Sequence, residues 1–146
     1  MNLFGILDIS GSALNAERQR AEIVTSNLAN AETTHTADGG PYQRQMVVFE
    51  TSKPSNSAFG RTFNGLRKEY ARGVSVQSIV ADTSAPTQRF EPSHPDANTQ
   101  GYVSYPTINP IEEMAELMEA ARAYQMNVAA VQATKGMISA SLDILR

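Results

Sequence analysis

Residues 109–146 read NPIEEMAELMEAARAYQMNVAAVQATKGMISASLDILR, and the reading of this stretch decides the architecture. Asn109 is a suitable helix cap. Pro110 suits the first helical position, where its missing N–H would have no partner anyway, and Glu112 stands where a capping-box carboxylate reaches back. Glu112, Glu113, Glu116 and Glu119 crowd the first turns and Arg146 ends the sequence, the arrangement that a helix dipole favours. Positions 114, 117, 121, 124, 128, 131, 135, 138, 142 and 145 are Met, Leu, Ala, Tyr, Val, Val, Lys, Ile, Leu and Leu. Broken only by Lys135, this heptad stripe predicts one continuous helix. Over residues 110–145 it would extend about 54 Å, at about 1.5 Å per residue, further than a small compact domain covers. Met118, Met137 and Ile144 lie off the stripe and widen the apolar surface beyond the width of one partner helix.

The N-terminal end has a weaker version of the same pattern. Positions 3, 7, 10, 14, 17, 21, 24, 28 and 31 are Leu, Leu, Ser, Leu, Glu, Ala, Val, Leu and Ala, a 4-3 alternation with two polar interruptions. This predicts an amphipathic helix that starts between Ile6 and Ser12 and runs to about residue 31. It ends in TSNLANAETT, residues 25–34, where Leu28, Ala29 and Ala31 extend the packing face and Asn27 and Asn30 interrupt it. Asparagine competes for backbone hydrogen bonds and favours caps and turns over helix interiors. Two readings stand side by side. Either Asn27 and Asn30 set the register of packed helices, or Asn30 is a C-terminal cap and Asn27 a solvated surface residue. The packing positions expected on the two end segments are Leu14, Val24, Asn27, Leu28 and Asn30, and Met114, Leu117, Tyr124, Val128, Val131, Ile138, Leu142 and Leu145.

Residues 36–108 hold six of the seven prolines. GGPYQRQMVVFETS, residues 39–52, alternates like a strand, with Tyr42, Met46 and Val48 on one face and Val47 and Phe49 on the other. GVSVQSIVAD, residues 73–82, alternates too, with Val74, Val76 and Val80 in phase. Residues 53–65 read as a loop, and residues 84–110 as turn-rich and extended. The fold class is therefore α+β: an N-terminal helical segment over 1–35, a β-rich or extended segment over 36–108, and a long C-terminal helix over 109–146.

Composition narrows the function. A net charge of −3 and a pI near 5.3 argue against nucleic acid, which needs a basic stripe or patch. The four early glutamates argue against a lipid-surface helix, which carries Lys and Arg on its polar face. No apolar run is long enough for membrane insertion, and the first residues lack the basic and apolar regions of a cleaved signal peptide. With no cysteine there is no disulfide and no thiolate. His35 and His94 are far apart and make no zinc site, and the HPD run at 94–96 reads as a Pro-spaced turn. Neighbouring Glu112 and Glu113 point about 100° apart on a helix, which is no facing acid pair. Gly39 and Gly40 read as a turn, outside any phosphate-binding fingerprint. No catalytic, metal-ligating or cofactor-binding residue is assigned, and no small-molecule substrate is expected.

Two stretches resemble a known family. TSNLANAETTHTADGGPYQRQ, residues 25–45, resembles the N-terminal signature of bacterial flagellar rod and hook proteins. FEPSHPDANTQGYVSYPTINPIEEMAELMEAARAYQMNVAAVQATKGMI, residues 90–138, is similar to the proximal-rod branch of that family. Ser93 departs from the pattern by standing where the family has glycine, a residue free to take positive φ. The resemblance implies a non-enzymatic structural subunit of the flagellar basal body. Such a subunit is exported unfolded through the flagellar type III apparatus, without a cleaved signal, and assembles helically in the periplasm into the rod. It also implies end helices that pair as a coiled-coil-like inner layer around the export channel and that are disordered in the free monomer. The implied partners are further copies of the same protein, other rod proteins, and the export-gate and MS-ring side of the basal body. A soluble helical adaptor or chaperone of a type III-like secretion system is the alternative; a peptidoglycan-cleaving enzyme is a third class, which the lack of a facing carboxylate pair disfavours.

Overall fold

The computed structural model describes residues 3–37, 39–52 and 72–144. Helix α1 spans Leu3–Ala29 and helix α2 spans Pro110–Ile144. Between them lie two antiparallel hairpins, β1 (Gln45–Thr51) with β2 (Val74–Ala81), and β3 (Thr87–Phe90) with β4 (Tyr102–Tyr105). The class is α+β, as the patterning implies. The loop expected at 53–65 lies outside the described residues.

The start of α1 is earlier than its sequence suggests. Ser10, Gly11 and Ser12 look like helix breakers, yet the helix runs straight through them from Leu3. Contacts made after folding override local propensity here. Ser10 is buried, and the Ser12 hydroxyl donates to the Ile9 carbonyl at 2.7 Å while accepting from the Val74 amide of β2 at 3.1 Å. The neighbouring Gly73 permits this approach: a Cβ there would sit 2.2 Å from the Ser12 Oγ. At its other end α1 stops at Ala29, where the Asn30 side-chain amide donates to the Ser26 carbonyl at 2.9 Å. Asn30 thus caps the C-terminus of α1 through its carboxamide.

Helix α2 begins as expected. The Asn109 Oδ1 accepts from the Ile111 amide at 3.1 Å, and its backbone carbonyl accepts from Glu113 N at 3.1 Å. The cap is single, without a box: the Asn109 carboxamide engages the second helical amide, and Glu112 remains exposed. The two helices run antiparallel, since Asn27 meets Glu113 and, further along, Arg20 meets Glu119. Helix α1 lies between α2 and the β1–β2 hairpin, and among the described elements α2 packs on α1 alone.

Strand β1 alternates over Met46 to Phe49 as predicted, with Val47 and Phe49 half-buried and Met46 and Val48 exposed, whereas Tyr42, expected on the Met46 face, precedes the strand and is half-buried against Asn27. Strand β2 departs from its predicted phase. Val48 pairs with Ser78 and Phe49 with Val76, so Gln77 is an extra residue, a β-bulge. The bulge reverses the alternation, and Val80, expected in phase with Val74 and Val76, pairs with Met46 on the exposed side at 44% exposure. The β3–β4 hairpin occupies a stretch that reads as merely extended, because strands of four residues give too little alternation to detect. Its connection closes on Gly101 at φ +82°, and the Glu91 amide donates to the Gly101 carbonyl at 2.9 Å. No described non-glycine residue has positive φ, so Ser93 occupies ordinary backbone. The Thr34 hydroxyl donates to Asp96 at 2.7 Å and ties this connection to the segment after α1.

The buried apolar residues are few: Ala16, Val24, Val103, Tyr105, Pro106 and Ala120 among those described. This core is small, and its α2 contribution is a single alanine.

Candidate assembly interface

At the end of α1 the side chain of Asn27, only 1% exposed, has all its hydrogen-bonding capacity used. Its Nδ2 donates to the Gln45 carbonyl at 2.8 Å and to Glu113 Oε2 at 3.1 Å. Its Oδ1 accepts from the Gln45 amide at 2.9 Å and from the Tyr42 hydroxyl at 3.1 Å. Asn27 thereby holds the first residue of β1 by both backbone groups and also reaches α2. Glu113 is fully buried. Its other oxygen accepts from Arg44 Nε at 2.5 Å, and Arg44 Nη2 extends to Glu116 at 2.8 Å. Burial by itself pulls the Arg44 guanidinium down, but the hydrogen bond and charge of Glu113, followed by those of Glu116, outweigh it and hold the group above its ordinary value. A buried carboxylate is tolerable here because it has a cation and an amide donor in place.

Beyond this junction the fully buried positions of α2 are small or polar, and half-buried Leu117, Val128, Val131 and Ile138 flank them. Ala120 and Thr134 are buried and Ala123, Asn127 and Ala130 half-buried. The open side is the reverse. Ile111, Met114, Met118, Met126, Leu142 and Ile144 are all more than half exposed. The side that α1 covers is centred one residue before the predicted stripe at Glu113, Ala120, Asn127 and Thr134.

The expected packing positions divide accordingly. Val24 and Asn27 are buried, and Leu14, Leu28 and Asn30 half-buried. On α2, Leu117, Val128, Val131 and Ile138 are half-buried, whereas Met114, Tyr124 and Leu142 are exposed; Leu145 lies outside the described residues. The structure brings Asn27 together with Glu113, Tyr42 and Arg44, none of which the stripe identifies. Their signal was slight: a charged residue opening a strand, and an acid that a dipole argument already explained.

Chemistry of other kinds finds little footing. The His94 Nδ1 accepts from the Asp96 amide at 3.1 Å, a turn contact, and His35 is exposed. Glu112 and Glu113 point apart, one to solvent and one into the junction. Gly39 and Gly40 both take positive φ in a turn. Among the described residues there is no group of three potential metal ligands, and no helix is long and apolar enough to cross a membrane.

Comparison with known proteins identifies the family. Residues 7–34 match the family described as flagella basal body rod protein, and residues 99–144 match the family described as flagellar basal body rod FlgEFG protein C-terminal. The flagellar basal-body rod protein FlgC of Bacillus subtilis (strain 168) is 38% identical, over 99% of this chain and 99% of its own. The chain belongs to the FlgC family of flagellar basal-body rod proteins. FlgC of Borreliella burgdorferi is 34% identical over 100% of this chain and 99% of its own, and FlgC of Escherichia coli O6:H1 is 35% identical over 99% and 98%. A FlgC protein is a structural subunit of the flagellar basal body, not an enzyme, and its family identity implies assembly with other rod proteins. The soluble adaptor is not favoured.

Proposed function

We propose that this FlgC protein builds the proximal part of the rod, its two helices pairing as a coiled-coil-like inner layer around the export channel. The open side of α2 packs on further copies and on neighbouring rod proteins, toward the export gate and MS ring at one end. The observation that carries this reading is the exposure of Ile111, Met114, Met118, Met126, Leu142 and Ile144 on a helix whose fully buried positions, Glu113, Ala120 and Thr134, are small or polar. An apolar face of this extent is costly to leave in water, and heterologous contacts that do not close generate a filament. A protein without cysteine, with so small a core, suits passage through a narrow export channel to the periplasm without a cleaved signal.

The test is deletion of residues 109–146 in a motile strain. Expression continues and incorporation into purified basal bodies is lost; normal incorporation of the truncated protein would overturn the reading.

A further inference from the structure

The fully buried apolar side chains of the helix pair are mostly small, Ala16 and Val24 on α1 and Ala120 on α2, with half-buried Leu117, Val128, Val131 and Ile138 beside them on α2. Further along α2, the polar members of the seam are satisfied within their own helix: the Thr134 hydroxyl donates to the Ala130 carbonyl at 2.8 Å, and the Asn127 amide to the Ala123 carbonyl at 2.9 Å. Neither specifies a partner on α1. Arg20 and Glu119 meet at 3.4 Å on the rim, where solvent screens them. Alanine and aliphatic contacts of this kind discriminate weakly between registers one heptad apart.

We infer that the Asn27–Glu113–Arg44 junction is the register lock of this helix pair and fixes the outer hairpin in the same step. Sliding α2 by one heptad puts Ala120 in the place of Glu113, which takes the acceptor from one N–H of the buried Asn27 amide and the buried carboxylate from the largely covered Arg44 guanidinium. A three-residue slide brings Glu116 to that place, but it turns the helix by about 60° and swings Met137 toward the space of Thr134. Of these three registers, only the observed one satisfies the carboxamide, the guanidinium and the packing together. A single buried polar group is an established way of fixing helix register. Here it also holds Gln45, the first residue of β1, by its N–H and its C=O, so hairpin and helices share one lock. The inference concerns the folding of a single molecule and does not depend on the rod reading.

The protein has no cysteine, so two can be added cleanly. Spin labels at Glu22→Cys and Gln132→Cys, both exposed and offset along the helix axes, report sliding as a change in distance. The otherwise unaltered full-length protein gives one narrow distance. In Asn27→Leu/Arg44→Met/Glu113→Leu, which removes the polar groups together and leaves no charge stranded, helical circular dichroism persists. The distance distribution then splits, with a second population whose axial offset differs by about 10 Å, seven residues of rise. One narrow parental distance in that helical variant overturns the lock. Should the triple variant lose its helices, Glu113→Gln, which keeps the shape and removes the charge, decides the matter: a new minor distance supports the lock and an unchanged distribution overturns it. A parental protein with no defined distance also overturns it, while leaving the deletion test of rod assembly unaffected.

Discussion

On the side of α2 that α1 covers stand Glu113, Ala120 and Thr134; on the side left open stand Met114, Met118, Met126 and Leu142. A surface helix of a self-sufficient domain is lined the other way round, apolar inward and polar outward. The inversion separates two tasks that one apolar face usually performs together. Within the molecule, a charged and hydrogen-bonded junction does the specifying, and little apolar area is used up. Most of the large apolar side chains of α2 are held in reserve for contacts outside it.

The contrast can be broken from either side. Glu113→Leu leaves Arg44 with only the half-exposed Glu116 and takes the acceptor from one Asn27 hydrogen bond, and loss of one partner of a buried ion pair costs about 3 kcal/mol or more. Denaturant unfolding of the purified protein should show that loss. Gly73→Ala acts where α1 meets the hairpin: its Cβ would fall 2.2 Å from the Ser12 Oγ, and the forced shift should cost about 1–3 kcal/mol, measured the same way. Asn109→Ala removes the cap of α2 at a loss of about 1 kcal/mol, confined in hydrogen exchange to the first turns. Met118→Gln combined with Met126→Gln should change the stability of the free protein least, by less than about 0.5 kcal/mol, yet reduce its recovery in basal bodies. If that pair unfolds the free protein as Glu113→Leu does, the two faces are not divided as described.

How much of this was legible in the sequence depends on range. The start of α2 was readable because Asn109 and Pro110 act on adjacent backbone, and β1 was readable because Met46 to Phe49 alternate without interruption. The start of α1 was hidden, since what carries the helix through Ser10, Gly11 and Ser12 includes an amide of β2, which lies distant in sequence. The phase of β2 was hidden as well, because Gln77 carries no mark of a bulge and only its pairing with β1 shows one. The junction was half visible. Asn27 stood out as a carboxamide on an apolar stripe, and a register role was one of its two readings. Its partners could not be named, because Glu113 already had a local explanation and Arg44 had none. Phase on α2 was the subtler difficulty: the fully buried positions Glu113, Ala120 and Thr134 lie one residue before stripe positions, while the stripe itself divides between half-buried Leu117, Val128, Val131 and Ile138 and exposed Met114, Tyr124 and Leu142.

The placement of α1 between α2 and the β1–β2 hairpin has a mechanical consequence. A tangential push on the hairpin reaches α2 by two routes: through the body of α1 and its seam with α2, or through the Arg44 guanidinium directly onto Glu113. The first route crosses the seam where the Asn27 amide, which also holds Gln45, meets Glu113. The second is short, charged and directional, and it bypasses α1. Both routes end on the one Glu113 carboxylate, which therefore couples the outer segment to the long helix.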